Sequence, residues 1–149
     1  MTRRFFNGLQ IDVPEGWADL STVILAPKKE VTDGQRPTIN LVVKRRPAKG
    51  RSRDDTVNEY LAFMRQSFGV LEDLETKEML VGSVKAKAVR FTTSANGKRF
   101  RQMTMLYQLA GDEVSATVTQ LEGDPTPIDE IEDLLASIKP AGPGVFGIK

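Results

Sequence analysis

Apolar and polar side chains alternate through Leu9-Gln10-Ile11-Asp12-Val13 until Pro14-Glu15-Gly16 breaks the pattern. A period of two predicts a short strand, and the Pro-Gly interruption predicts a turn. A second strand is expected over residues 21–26, stopped by Pro27, and after a polar loop with Asp33-Gly34 a third over 38–44, rich in β-branched residues. A loop over 45–53, with Pro47 and Gly50, precedes a change of period. Val57, Tyr60, Leu61, Met64 and Phe68 fall on one face of a helix. Asp54 or Asp55 suits its N-cap, and Gly69 suits its stop. Strand-like segments resume over 70–80, 84–93, 99–109 and 114–121, separated by Gly82, Asn96-Gly97 and Gly111-Asp112. Asn96-Gly97 is the strongest hairpin signal, because both residues tolerate positive φ. Ile128, Ile131, Leu134, Leu135 and Ile138 mark a second amphipathic helix, ended by Pro140.

The predicted order is β-β-β-α-β-β-β-β-α. Successive strands joined by short turns imply an α+β fold with an antiparallel sheet. Each helix has one apolar face, so both are expected to pack on one face of the sheet. Residues 1–140 read as a single domain and residues 141–149 as a flexible tail.

Strand alternation sorts side chains into two sets. Val23, Leu25, Ile39, Leu41, Val43, Met103, Met105, Tyr107 and Leu109 form the more apolar set, expected under the helices. The opposite set mixes Ile24, Val42 and Leu106 with Thr22, Thr38, Asn40, Gln102 and Thr104. A sheet face left to water is normally charged or plainly polar. This one has few charges in three strands. It fits simple strand propensity, a homodimer interface, or a groove for an apolar peptide or helix.

Composition narrows the chemistry. The 149 residues include no cysteine and no histidine, which excludes a Cys-His zinc site, a Ser-His-Asp triad, a thiolate nucleophile and a disulfide. A lipid anchor on cysteine is excluded as well. The N-terminal residues lack the apolar core of a signal peptide, and no stretch approaches the roughly 18 apolar residues of a membrane span. A soluble, cytoplasmic, non-enzymatic protein without cofactor or metal is therefore expected. The carboxylates at Glu72-Asp73-Glu75 and Asp129-Glu130-Glu132-Asp133 read as solvated faces. Net charge is only +1, although cations cluster over 44–53 and along the predicted hairpin. Few aromatics accompany them, so nucleic-acid binding is not expected. Trp17, the only tryptophan, is read as plugging one end of the core beside a turn.

Ile11-Asp12-Val13-Pro14-Glu15-Gly16-Trp17, with Asp19 and Ser21, resembles the opening of DcrB-related, PsbP-like proteins. Pro37-Thr38-Ile39-Asn40-Leu41-Val42-Val43 and Arg101-Gln102 extend the likeness over about residues 5–139. Within that group the chain most resembles the Eag chaperones of type VI secretion. The resemblance implies a small homodimeric cytoplasmic adaptor. Its partner would be a secreted, PAAR-containing effector with N-terminal transmembrane helices, shielded before loading on the secretion spike. It implies no stable membrane insertion of the adaptor itself. The client would lie on the open sheet face against Thr22, Ile24, Thr38, Asn40, Val42 and Gln102, to which the alternation adds Thr104 and Leu106. The alternative is a generic PsbP-like scaffold that binds another protein or a small ligand.

Overall fold

The computed structural model describes residues 2–6, 9–17 and 22–138. The tail at 141–149, the stop at Pro140, and Asp19 and Ser21 lie outside these residues. Strands β1 (Thr2–Phe6) and β2 (Leu9–Val13) pair with each other as an antiparallel hairpin. Then follow β3 (Thr22–Leu25), the short helix α1 (Lys28–Thr32), β4 (Ile39–Pro47), the long helix α2 (Arg53–Phe68), and β5 (Glu72–Val81). Three long strands come next, β6 (Val84–Ala95), β7 (Lys98–Leu109) and β8 (Asp112–Leu121), and α3 (Ile128–Ala136) is the last described element. Six strands form one antiparallel sheet in the order β3-β4-β8-β7-β6-β5. The α+β class, the antiparallel sheet and the two expected packed helices are thus present, with β1 and α1 in addition.

Local signals explain most boundaries. Asn96 and Gly97, at φ 52° and 75°, turn β6 into β7 as expected. Gly69, at φ 77°, ends α2, and its N–H donates to the Arg65 carbonyl at 2.8 Å. The start of α2 differs from expectation. Ser52, not an aspartate, is the N-cap: its Oγ accepts from the Asp55 N–H at 3.1 Å, and the Asp55 carboxylate accepts from the Ser52 N–H at 3.0 Å. This reciprocal pair satisfies two amides at once, which neither aspartate achieves alone as a cap.

The helices divide between the two faces of the sheet, and this corrects the placement on one face. Helix α3 buries Ile131 and Leu135 against Leu41, Met103, Met105, Tyr107, Ala116 and Val118. Helix α2 buries Val57, with Tyr60, Leu61 and Met64, against Val89, Phe91 and Leu106. Leu106 lies between Met105 and Tyr107 on one strand, so its side chain is on the opposite face. The reason is in β6. Ala86 and Ala88 serve one face while Val89 and Phe91 give the other an apolar footing, and Phe68 adds an edge contact to Phe100 with ring centroids 5.3 Å apart.

Two further expectations change. Alternation places Val23 and Leu25 in the covered set, yet they are 45% and 54% exposed, because α3 stops short of β3. Trp17 is no core plug: it is 75% exposed, beyond a turn in which its N–H donates to the Pro14 carbonyl at 3.1 Å.

A buried carboxylate anchors the start of α2. Glu113 on β8 accepts from the Thr56 hydroxyl at 2.6 Å, from Arg46 Nε at 2.7 Å, and pairs with Arg51 Nε at 3.0 Å. Glu59 joins the same two arginines at 3.3 and 2.7 Å. Burial acts to push the Glu113 carboxyl up, but the bonds from Thr56 and Arg46 and the charge of Arg51 outweigh it and hold the carboxyl below its ordinary range.

Two outcomes test this packing. Phe91→Ala, fully buried beneath α2, is expected to destabilise the chain by roughly 3–5 kcal/mol in urea unfolding. A group with a depressed folded pKa contributes stability above its unfolded value and loses it as pH falls. Glu113→Gln is therefore expected to cost roughly 1–3 kcal/mol near neutral pH, with the deficit closing below about pH 4. Parallel urea titrations at both pH values check this, and a deficit independent of pH would exclude an electrostatic role for Glu113.

Candidate functional site

Strand register places Thr22, Ile24, Asn40, Val42, Gln102, Thr104 and Leu106 on one face. Thr22 is opposite Lys44, Ile24 opposite Val42, Val42 opposite Thr117 and Asn40 opposite Thr119. Across the next pair, Thr117 meets Thr104, Thr119 meets Gln102 and Ser115 meets Leu106. This is the face on which α2 packs, and α2 divides the predicted residues into two groups.

The first group lies under the helix. Thr104 and Leu106 are buried and line no open surface, which corrects their assignment as exposed contacts. Gln102 is half-buried and accepts from the Tyr60 hydroxyl at 3.3 Å. Tyr60 and Thr104 also share a hydrogen bond of 2.8 Å, and Thr104 continues to Thr117 at 2.9 Å. Burial pushes the Tyr60 phenol up to about 12, against the opposing effect of the Thr104 bond, so it remains a neutral hydrogen-bonding group.

The second group stays open. Ile24 is 66% exposed, Thr22 is exposed, and Asn40 and Val42 are half-buried. Thr38 is half-buried but turned aside: its hydroxyl meets the Glu30 carboxylate at 2.8 Å and Asp124 at 2.5 Å, tying α1 to the turn before α3. Ser115, Thr117 and Thr119 of β8 complete the open half and were not singled out from the sequence. Their signal was available, because Val114, Ala116 and Val118 alternate with three uncharged hydroxyl residues. Phe63 also went unnoticed. It is 60% exposed and lies one turn beyond Glu59, whose carboxylate reaches Arg46 on β4, so it borders the open half from the helix side.

The result is a shallow surface walled on one side by α2 and bounded on the other by β3. Its floor carries Ile24 and Val42 for apolar contact and Asn40, Thr117 and Thr119 for hydrogen bonds. Asn40 Oδ1 is shielded from solvent and has no hydrogen-bond partner among the described residues. A buried acceptor without a donor is unfavourable, so this oxygen is a local cost to the fold at the floor of the surface.

Charge is largely neutralised nearby. Arg45 pairs with Asp112 at 2.7 Å, Arg46 and Arg51 with Glu113 and Glu59, and Arg53 with Glu78 at 2.8 Å. On β6 and β7, Arg90 pairs with Glu75 and Arg99 with Glu72. Most of the cationic run therefore stabilises the fold rather than projecting as a field. A separate cleft of about 480 Å³ lies at the other end of the sheet, where Arg99, Arg101, Glu122 and Asp124 mix both signs. It does not adjoin Ile24 or Val42. Among the described residues, no three or more Asp or Glu side chains gather to hold a metal ion, and no helix is long and apolar enough to cross a membrane.

Comparison with known proteins agrees with this architecture. A solved Pseudomonas aeruginosa protein of unknown function, described as a candidate regulator, superposes with a TM-score of 0.74 at 16% identity, covering 95% of this chain and 98% of its own. At that identity the likeness establishes the fold alone. No curated relative matches the chain. The DcrB family model matches residues 9–137, which run from β2 through α3. With most of its length matched and the same sheet and helices in place, the chain belongs to the DcrB family.

Proposed function

We propose that this chain is a non-catalytic chaperone of the Eag type, acting in the cytoplasm as a homodimer. It covers the N-terminal transmembrane helices of a PAAR-containing type VI effector before the effector is loaded on the secretion spike. Family membership and the structural neighbour described as a candidate regulator support the coarser reading, a binding or regulatory scaffold. The observation that carries the finer reading is the open half-face itself. Exposed Ile24 and half-buried Val42 sit among uncharged Asn40, Thr117 and Thr119, with exposed Phe63 alongside.

The physics suits an apolar helix. Covering apolar surface contributes roughly 25 cal/mol per Å², and a transmembrane helix in water exposes it all round. The Asn and Thr groups keep the empty surface wetted and offer bonds to hydroxyls or small-residue stretches of the client. A single half-face covers one side of a helix, so two copies enclose more of it. Thr22, Ile24, Asn40 and Val42 are the contacts in this reading. Gln102, Thr104 and Leu106 act beneath α2 by holding the floor in place.

Co-expression tests the reading directly. An effector fragment carrying the transmembrane helices is expected to stay soluble only with this chain, and equal solubility in its absence would remove the proposal. Ile24→Asp and Val42→Asp are each expected to weaken capture about ten-fold or more, a loss of about 1.4 kcal/mol or more. Ile24→Asp is expected to leave the thermal melt by circular dichroism unchanged, since the side chain is already mostly in water.

A further inference from the structure

The two edges of the sheet are built differently. Edge strands leave a row of backbone N–H and C=O groups unpaired, and charges and bulges commonly block pairing there. β5 has both defences. It carries Glu72, Asp73, Glu75, Lys77 and Glu78, its register with β6 shifts between Glu72 and Glu75, and Asp73 sits at φ 53°. β3 has neither. Thr22-Val23-Ile24-Leu25 holds no charge, pairs with β4 without a shift, and is exposed at all four positions. The hairpin of β1 and β2 forms its own sheet and does not extend β3.

Charge surrounds this bare edge in a definite way. Lys44 stands opposite Thr22 at one end, and Lys28 and Lys29 follow Leu25 closely at the other. None of these three makes an ion pair among the described residues, whereas Arg45, Arg46, Arg51 and Arg53 are all paired. The one nearby carboxylate on α1, Glu30, is engaged by the Thr38 backbone N–H and hydroxyl.

The geometry points to β3 as a docking edge for an extended segment of another polypeptide, apolar at its centre and acidic at both ends. The segment adds a seventh strand. Its side chains alternate between Ile24 on one face and Val23 with Leu25 on the other, and its terminal carboxylates meet Lys44 and Lys28–Lys29. A second copy is the poorer occupant. Antiparallel self-pairing sets Thr22 opposite Leu25 of the other copy, bringing Lys44 of each toward Lys28 and Lys29 of its mate, and like charges repel. This inference is independent of helix capture, because a helix has no free backbone groups to offer an edge.

Two labelled, capped peptides test it, each with alternating Val and Thr, one ended by Asp-Glu and the other by Lys-Lys. The acidic peptide is expected to bind about ten-fold tighter or better, to weaken as salt rises, and to slow amide exchange at residues 22–25 but not in β5. Lys28→Glu with Lys29→Glu is expected to reverse the preference between peptides without touching the strand. Neighbouring residues of an antiparallel strand alternate in which way their N–H points. Of Val23→Pro and Ile24→Pro, the one facing outward is expected to abolish binding while the circular-dichroism melt survives. Phe63→Asp, on the far wall of the open surface, is expected to leave peptide binding unchanged, which separates this edge from the proposed helix surface. Equal binding of both peptides, an unchanged preference in the double lysine variant, or protection at β5 would overturn the inference. Self-association that vanishes in the outward proline variant, without peptide binding in the wild type, would overturn it in favour of a second copy.

Discussion

Width governs this architecture. Six strands spaced about 4.8 Å apart span roughly 24 Å, while one helix with its side chains is about 10 Å across. Each face of the sheet receives one packed helix, α2 on one side and α3 on the other. Neither can cover six strands. Helix α2 settles over β6 and β7, where Val89, Phe91 and Leu106 give it an apolar footing, its first turn reaches β8 at Glu113, and β3 with the Asn40–Val42 part of β4 has no helix packed on it among the described residues. On the opposite face α3 packs over Leu41, Met103, Met105 and Val118 and leaves Val23 and Leu25 exposed. The open surface and the bare edge both arise from this mismatch.

The composition of the uncovered half follows from the same limit. Strands that face water need polar groups, yet their neighbours beneath α2 need groups that pack. Thr and Asn satisfy both demands, since each combines a small side chain with hydrogen-bonding capacity. The shared bonds from Tyr60 to Thr104 and on to Thr117 run from under the helix to its open margin. The polar row is thus continuous, and the covered part braces the open part.

Electrostatics fixes where α2 begins. Glu113 is buried at the junction of β4, β8 and α2, and three partners on the surrounding segments compensate its desolvation. Arg46 and Arg51 then share Glu59 at the surface. Within the cationic run of residues 44–53, Arg46 and Arg51 belong to this network while Arg45 and Arg53 pair with Asp112 and Glu78, so the length of the run in the sequence overstates the free charge it presents. Lys28, Lys29 and Lys44, which make no ion pair among the described residues, are the ones left beside β3.

Elements with strong local periodicity are legible in the sequence. The helix carrying Val57, Tyr60, Leu61, Met64 and Phe68, the Asn96-Gly97 hairpin and the alternation of Ile39 through Val43 all follow from spacing and backbone preference. Ser52 was missed as a cap because an equally suitable aspartate stood two residues further on. The site was half legible. Alternation alone puts Thr22, Ile24, Asn40 and Val42 on one face with Gln102, Thr104 and Leu106, and the same rule extends to Thr117 and Thr119. It cannot separate the open residues from those under a helix. Side-chain period is a property of one strand and its backbone geometry, so the chain itself determined which residues share a face. Which face a helix covers, and how far across, depends on contacts between segments distant along the chain. Val89 and Phe91 meeting Val57, and Glu113 meeting Thr56, decided that only in three dimensions.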